Sequence, residues 1–136
     1  MCGDGCASAS DWRAYTVFRV QDGATRPILL IDTGNRDLYI FATNSGSGGA
    51  IHYKTTSMDS IQFPIGAGSP FIQSSADLTI NNPTSTKQNL NSHTGLVVLA
   101  SDSQTLYYLH NYLSLGSEPA ISPRAYLPII VNSGSQ

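Results

Sequence analysis

The stretch that decides the fold is Ile28-Leu-Leu-Ile-Asp-Thr-Gly-Asn-Arg-Asp-Leu-Tyr-Ile-Phe41, and it has a counterpart in Leu96-Val-Val-Leu-Ala-Ser-Asp-Ser-Gln-Thr-Leu-Tyr-Tyr-Leu109. The two overlay without a gap, and each has an apolar run, a turn region that opens toward Leu-Tyr and a second apolar run. Short apolar runs separated by turn residues are typical of a β-hairpin. The sequence therefore predicts one hairpin that occurs twice. Tyr39 and Tyr107 coincide in the overlay, which predicts a packing role for both.

Further strands are predicted around the hairpins. The alternation of side chains in Trp12–Val20 and Ala50–Thr55 predicts a strand in each. Phe71–Gln73, bounded by glycine and proline, is predicted as a short strand at a sheet edge. Residues 74–91 are the longest polar stretch and are predicted as a loop. No stretch combines a 3.6-residue period with helix caps, so the predicted class is all-β.

Length and composition restrict the protein further. A chain of 136 residues suits one domain, which we divide into a flexible lead-in (residues 1–11), a repeat region (12–115) and a proline-containing tail (116–136). Charged residues make up 12%, about half of the usual share, and Ser, Thr, Asn and Gly take the other polar positions. Such a composition is typical of exported β-proteins, so we expect an extracellular or cell-surface location. The signal peptide of an exported protein does not follow Met1, so it would have been removed or would lie upstream.

The net charge of −2 creates no strong field, which disfavours nucleic acid as a partner. No stretch reaches the ~20 apolar residues of a membrane helix, so no membrane span is predicted. Cys2 and Cys6 could form a small disulfide or stay reduced; a Cys-x3-Cys pair alone is too few ligands for zinc. Phosphate-binding glycine loops and metal clusters are absent from the sequence, and no cofactor is predicted.

Part of the chain resembles a known family. Pro27-Ile-Leu-Leu-Ile-Asp32, Leu38-Tyr-Ile-Phe-Ala-Thr43 and Gly49-Ala-Ile-His-Tyr-Lys-Thr-Thr-Ser-Met-Asp59 resemble repeats of secreted bacterial β-propellers of the sialidase-like type. In those repeats a strand is followed by an Asp-box, roughly Ser-x-Asp-x-Gly-x-Thr-Trp. Ser57-Met-Asp-Ser-Ile-Gln-Phe63 is a degenerate version that keeps the Ser and the Asp. The resemblance covers residues 26–112 and implies about two propeller blades; a β-sandwich is the alternative fold.

The number of blades has a consequence for partners. Propellers close with about 4–8 blades, and two blades leave sheet faces and edges uncovered. We therefore expect either a homo-oligomer of this chain or further blades of a longer chain.

No catalytic residue is assigned from the sequence. Sialidases gather an arginine cluster, a tyrosine nucleophile and carboxylates, and none of the arginines or tyrosines here matches those positions in context. A histidine acting as base needs an orienting partner and a nucleophile, which the sequence does not indicate. The carboxylates of Asp32, Asp59 and Asp102 are predicted to fix their own turns. The arginines concerned are Arg13, Arg19, Arg26, Arg36 and Arg124, and the histidines are His52, His93 and His110.

The segment 81–91 is the predicted binding site. Its amides and hydroxyls suit neutral polyols, and the alternative is a solvated connector. The candidate ligand-binding residues are Asn81, Asn82, Lys87, Gln88 and Asn89. The predicted function is a non-catalytic β-propeller segment of an exported protein, acting as an interaction or carbohydrate-binding scaffold. A fragment of a glycoside-acting propeller enzyme and a self-assembling surface or filament subunit are the alternatives.

Overall fold

The computed structural model describes residues 8–45, 49–74, 79–86 and 90–116. Two short 3-10 turns, Ala9–Asp11 and Val20–Asp22, come before seven strands, and no α-helix occurs in the described ranges. Among the described residues, no helix has the length and apolar character needed to cross a bilayer. The all-β class is confirmed. The strands in chain order are β1 (Ala24–Asp32), β2 (Asp37–Asn44), β3 (Ala50–Ser57), β4 (Ser69–Ile72), β5 (Ile80–Ser85), β6 (Leu96–Asp102) and β7 (Tyr108–Leu113).

The strands form two antiparallel sheets that share one core. The first sheet has the order β1-β2-β3-β4 and the second the order β5-β6-β7. The first sheet contributes an aromatic group in which the Phe41 ring lies 5.5 Å from Tyr53 and 4.9 Å from Phe71. Leu96 and Val98 of the second sheet complete this core. Face-packed antiparallel sheets occur in sandwiches and in propellers, so the architecture at this level fits both predicted folds.

The prediction of a strand at Trp12–Val20 is wrong. Residues 12–19, here called the N-terminal segment, have no regular secondary structure. The carbonyl oxygen of Val17 accepts a hydrogen bond from the ammonium group of Lys54 at 2.6 Å, so a side chain satisfies it instead of a neighbouring strand. Tyr15, Val17 and Phe18 of this segment lie against the outer face of the first sheet, the face turned away from the second sheet.

The predicted loop at residues 74–91 is also wrong in part, because it contains β5. Ile80 is buried in the core and Pro83 is buried within this strand. The sequence did not indicate β5 as a strand, because Asn, Thr and Ser occupy most of its positions. The edge-strand prediction for Phe71–Gln73 is confirmed in substance, because β4 is the last strand of the first sheet.

Asp32 and Asp102 end the first strand of each predicted hairpin, and both fix a turn as predicted. Asp32 Oδ1 accepts hydrogen bonds from the backbone N–H groups of Gly34 and Asn35 at 3.0 and 3.1 Å. Asp102 accepts from the Gln104 N–H at 3.3 Å and from the Thr105 hydroxyl at 2.6 Å. In the gapless overlay of the two sequences these two aspartates do not coincide. The overlay therefore does not align the two turns correctly.

The overlay also misplaces the tyrosines. Tyr39 is 9% exposed and packs in the core, which confirms its predicted role, whereas Tyr107 is 69% exposed. The physical reason is that Tyr107 lies just before β7, where Asp102 donates its backbone N–H to the Tyr107 carbonyl at 3.1 Å to close the hairpin. Its side chain therefore points away from the sheet core.

Asp102 provides a testable pH dependence. The hydrogen bond from Thr105 lowers the pKa of Asp102, and burial opposes this shift less strongly. A carboxylate whose pKa is lower in the folded state stabilises the fold fully above the unfolded pKa of about 4 and loses this effect as pH falls through the folded pKa. We expect Asp102→Asn to lower the urea midpoint of unfolding at pH 7 and to differ less from wild type at pH 2.5. Urea unfolding at both pH values measures this, and an equal difference at both would contradict it.

Two equivalent β-bulges reveal a structural repeat of three strands. Arg26-Pro27 stands opposite Ala42, and Asn82-Pro83 stands opposite Ala100, each dipeptide facing one residue of the next strand. Arg26 and Asn82 both have a positive φ, 51° and 55°. The bulges thus match β1-β2-β3 with β5-β6-β7, whereas the sequence overlay matched β1-β2 with β6-β7.

This repeat fixes how the two sheets face each other. Ala42 lies on the outer face of the first sheet, but its equivalent, Ala100, lies in the core between the sheets. Unlike faces of the two repeats therefore meet. The first strands of the two repeats, β1 and β5, also run in the same direction. Leu90, which follows β5, forms a parallel bridge with Asp32 at the end of β1.

Candidate functional site

The structure describes two of the five predicted binding residues. Asn81 and Asn82 lie near the start of β5, whereas Lys87, Gln88 and Asn89 lie outside the described residues. Asn81 lines a pocket of about 310 Å³ at the end of the molecule where β1 and β5 begin. This volume is at the lower end of the range for small-molecule sites.

The pocket is built from both sheets. From the first sheet, Thr25 and Arg26 come from β1, and Thr43 comes from β2; Asn81 comes from the second sheet. Sequence reasoning found Asn81 but not its neighbours, because Arg26 and Asn81 are 55 residues apart. The signal that could have joined them is the pair of dipeptides Arg26-Pro27 and Asn82-Pro83, each ahead of a strand continuation.

The Asn81 amide oxygen organises the pocket. It accepts hydrogen bonds from the Arg26 guanidinium at 3.2 Å, from the Thr43 hydroxyl at 3.0 Å and from the Asn82 backbone N–H at 2.9 Å. Three donors on one oxygen fix the side chain. The Arg26 side chain is exposed, and a guanidinium carries five N–H donors, so several of them stay available to a ligand.

The backbone conformation of Arg26 and Asn82 is unusual. A residue before proline is restricted to extended conformations, yet Arg26 and Asn82 both precede a proline at positive φ. Such conformations cost about 1–3 kcal/mol and occur often at functional sites. The hydrogen bonds of Asn81 connect both strained bulges and hold them together.

Comparison with protein-family models, curated proteins and solved structures found no match for this chain. The chemistry of the site therefore has to be argued from its own residues. The lining of the pocket contains no carboxylate, histidine or cysteine among the described residues, and offers hydroxyl, amide and guanidinium groups instead. Within the described ranges, no group of three His, Cys, Asp or Glu residues could hold a metal ion.

The arginines of the described residues are dispersed. Arg13 and Arg19 line two other cavities, and Arg26 lines the polar pocket. Arg36 binds Asp59, with its Nε at 3.0 Å from Oδ1 and its Nη2 at 2.6 Å. The prediction that the Asp59 carboxylate fixes its own turn is wrong, because this carboxylate accepts from Arg36. The guanidinium lowers the pKa of Asp59, and the carboxylate raises that of Arg36.

A second cavity lies on the outer face of the first sheet. It has a volume of about 670 Å³ and is mostly apolar, with Tyr15 and Val17 of the N-terminal segment on one side and Leu29 and Ile40 of the sheet on the other. Ile61 and Phe63 also line it. Sequence reasoning missed this groove, because it depends on an irregular segment lying against a sheet.

Lys54 fastens the N-terminal segment beside this groove. Its side chain is only 3% exposed, and its ammonium donates to the carbonyl oxygens of Val17 and Pro64 at 2.6 and 2.8 Å. The ammonium also lies 4.5 Å from the centre of the Phe18 ring, a cation–π contact. Burial lowers the pKa of Lys54, and Asp22 partly opposes this shift. These contacts make Lys54 a structural residue.

The histidines lie away from the polar pocket. His52 and His110 are on strands, as predicted, and His93 is in the loop before β6. The buried Nδ1 atom of His52 has no hydrogen-bond partner. Its register partner is Ala42, which places His52 on the outer face of the first sheet.

Proposed function

We propose that this chain is a non-catalytic, propeller-like segment of an exported protein, and that it binds carbohydrate in the pocket of Arg26, Thr43 and Asn81. The observation that carries the proposal is the set of hydrogen bonds by which Asn81 joins the two sheets around this pocket. A ligand there would contact both sheets, as expected of a scaffold whose binding site lies between repeated units.

The relation between the sheets supports the propeller-like fold over the sandwich. Two-fold related sheets would bring equivalent faces together, whereas here the face containing Ala100 packs against the face opposite to that of Ala42. Neighbouring blades around an axis meet in this way, and their first strands run parallel. The parallel bridge between Asp32 and Leu90 has that direction.

The donors of the pocket define the ligand class. Sugar hydroxyls accept hydrogen bonds from hydroxyl, amide and guanidinium groups, and a sugar carboxylate can bind a guanidinium in a bidentate manner. The described residues of the lining include no carboxylate or histidine that could act as a base toward a glycosidic bond. We therefore favour binding of neutral or acidic glycans over their hydrolysis. The hydroxyl-rich, weakly charged composition supports a location outside the cell or on its surface.

A glycan array followed by calorimetry with the best glycan tests this proposal. We expect Arg26→Ala to weaken binding by about 10-fold or more, because it removes a charged hydrogen-bond donor. Arg36→Ala is the matched control, since Arg36 is also an exposed arginine at positive φ but lies away from the pocket. Equal binding by the two variants would contradict the site. Hydrolysis of a fluorogenic sialoside by the wild-type chain would overturn the non-catalytic function and favour the enzyme alternative.

A further inference from the structure

The Arg26 guanidinium at the polar pocket is held through one of its nitrogen atoms. Nη1 donates hydrogen bonds to the Asn81 amide oxygen at 3.2 Å and to the Thr25 hydroxyl oxygen at 3.5 Å. Within the described residues, Nε and Nη2, which form another edge of the planar guanidinium, have no hydrogen-bond acceptor. The N–H groups of this edge are therefore available, on a side chain that Asn81 and Thr25 already hold in place.

Arg36 provides an example of what this edge of a guanidinium binds in the same protein. Its Nε and Nη2 atoms both donate to the Asp59 carboxylate, at 3.0 and 2.6 Å from Oδ1. Arg36 and Arg26 also share a positive φ, 59° and 51°. They differ in their partner, because the described residues that line the polar pocket include no Asp or Glu. A carboxylate from outside the chain could therefore bind Arg26 as Asp59 binds Arg36.

The rest of the polar pocket suits the ring of a sugar acid. Within the described residues, the amide nitrogen of Asn81 has no acceptor, so its N–H groups can donate to hydroxyl or ring oxygens. The hydroxyl groups of Thr25 and Ser45 also line the pocket. Its volume of about 310 Å³ is at the lower end for ligand sites, which favours one sugar ring over a longer segment of glycan. A bound carboxylate would meet the positive charge of Arg26 and no negative charge from the described lining.

We propose that the polar pocket selects a terminal hexuronic acid unit of a glycan, whose carboxylate binds the Nε and Nη2 atoms of Arg26. This inference rests on the carbohydrate binding proposed above and adds the charge of the ligand to it. A bidentate pair of carboxylate and guanidinium is stronger and more directional than a hydrogen bond to a neutral hydroxyl. The pocket therefore prefers the acid over the neutral sugar with the same ring. Asn81 has two roles, because its oxygen orients Arg26 and its nitrogen binds the sugar ring.

NMR titration of the full chain with matched methyl glycosides tests the inference. Methyl β-D-glucuronide and methyl β-D-glucoside differ only at C6, where a carboxylate replaces a hydroxymethyl group, and the galacturonide and galactoside pair repeats the comparison. We expect the acid of at least one pair to bind about 10-fold or more tightly than its neutral partner. This preference should decrease between about 0.05 and 0.5 M NaCl, because salt screens the charges. Sodium acetate, a carboxylate without the ring, should bind about 10-fold or more weakly than that acid.

Two substitutions separate the shape of the guanidinium from its charge. Arg26→Lys keeps the positive charge but removes the two-nitrogen edge, and we expect the preference for the acid to fall by about 5-fold or more. Asn81→Asp keeps an oxygen that accepts from Arg26 and Thr43 and adds a negative charge beside the guanidinium. We expect it to abolish the preference without lowering the thermal midpoint of unfolding. Arg36→Lys is the matched control and should leave the preference unchanged, because Arg36 already binds Asp59 away from the pocket.

The outcomes distinguish this inference from the proposed function. Equal binding of the acids and their neutral partners would overturn the inference and leave carbohydrate binding intact. Acetate binding as tight as that of the acids would also overturn it, because the pocket would then be a general anion site. An unchanged preference in Arg26→Lys would overturn the bidentate contact. Absence of binding by both acids would overturn the inference as well. A neutral glycan bound on the array would then preserve the proposed function, and an array without any bound glycan would overturn both.

Discussion

Replacing Gly68 by alanine is expected to destabilise the protein by about 3–5 kcal/mol, because the change combines backbone strain with a clash. Gly68 has a φ of +84° next to the start of β4, a conformation that residues with a Cβ rarely adopt. A Cβ at this position would overlap the carbonyl oxygen of Tyr53 and lie 2.9 Å from the Cγ of Lys54. The carbonyl belongs to the backbone of β3 and cannot turn away, so β3 and β4 would have to separate.

Gly66→Ala is the matched control for this prediction. Gly66 also has a positive φ, +98°, but a Cβ there would meet no atom within 4 Å. We therefore expect it to cost only the backbone strain, about 1–2 kcal/mol. Urea unfolding followed by circular dichroism measures both variants. Equal losses would show that the contact with β3 is not what requires glycine at position 68.

Lys54→Met is expected to release the N-terminal segment while the two sheets stay folded. The methionine keeps an apolar stem but leaves the carbonyl oxygens of Val17 and Pro64 without their donor. Pro64 can reach water, so we expect a loss of about 2 kcal/mol instead of the sum for two buried acceptors. Trypsin should cleave after Arg13 and Arg19 about 10-fold faster or more, because about 2 kcal/mol raises the open population by that order. Trp12, the single tryptophan, gives a second readout by fluorescence.

The same digestion contains its own control. Arg36 is exposed in the turn between β1 and β2, far along the chain from the N-terminal segment. If the substitution unfolded the whole protein, cleavage after Arg36 would rise together with cleavage after Arg13 and Arg19. Parallel increases at all three sites would contradict a local role for Lys54, and unchanged cleavage at Arg13 and Arg19 would show that Lys54 does not fasten the segment.

The strands that sequence analysis predicted well are those whose pattern reflects local burial. Leu38–Thr43 became β2, which is buried on both faces, as a run of consecutive apolar residues indicates. Ile28–Ile31 became part of β1, but Leu29 and Ile31 are exposed on one face of it. The glycine and proline residues before Phe71 correctly indicated an edge strand. The alternation in Trp12–Val20 misled the prediction, because it does not correspond to alternating burial: residues 12–16 are exposed, and Val17, Phe18 and Arg19 are all half-buried.

The candidate site was only half visible in the sequence. Asn81 could be proposed from local composition, since polar residues cluster around it. Arg26 and Thr43 could not, because they reach the pocket only when β1 and β5 begin at the same end of two packed sheets. Lys54 shows the same limit: its two carbonyl partners lie 37 residues before it and 10 residues after it in the chain.

The sequence by itself determined the all-β class and the turns fixed by Asp32 and Asp102, because each depends on side chains and backbone preferences within a few residues. The two X-Pro bulges were not predicted, because Arg26 and Asn82 adopt a positive φ that local preference before proline disfavours. Only the tertiary structure decided which hairpin strands are equivalent and which faces meet. A one-residue difference in strand register exchanges the two faces of a sheet, and apolar runs such as Ile28–Ile31 look the same from either side. The repeated stretch thus revealed two similar hairpins, but only packing placed Ala42 outside the molecule's core and Ala100 within it.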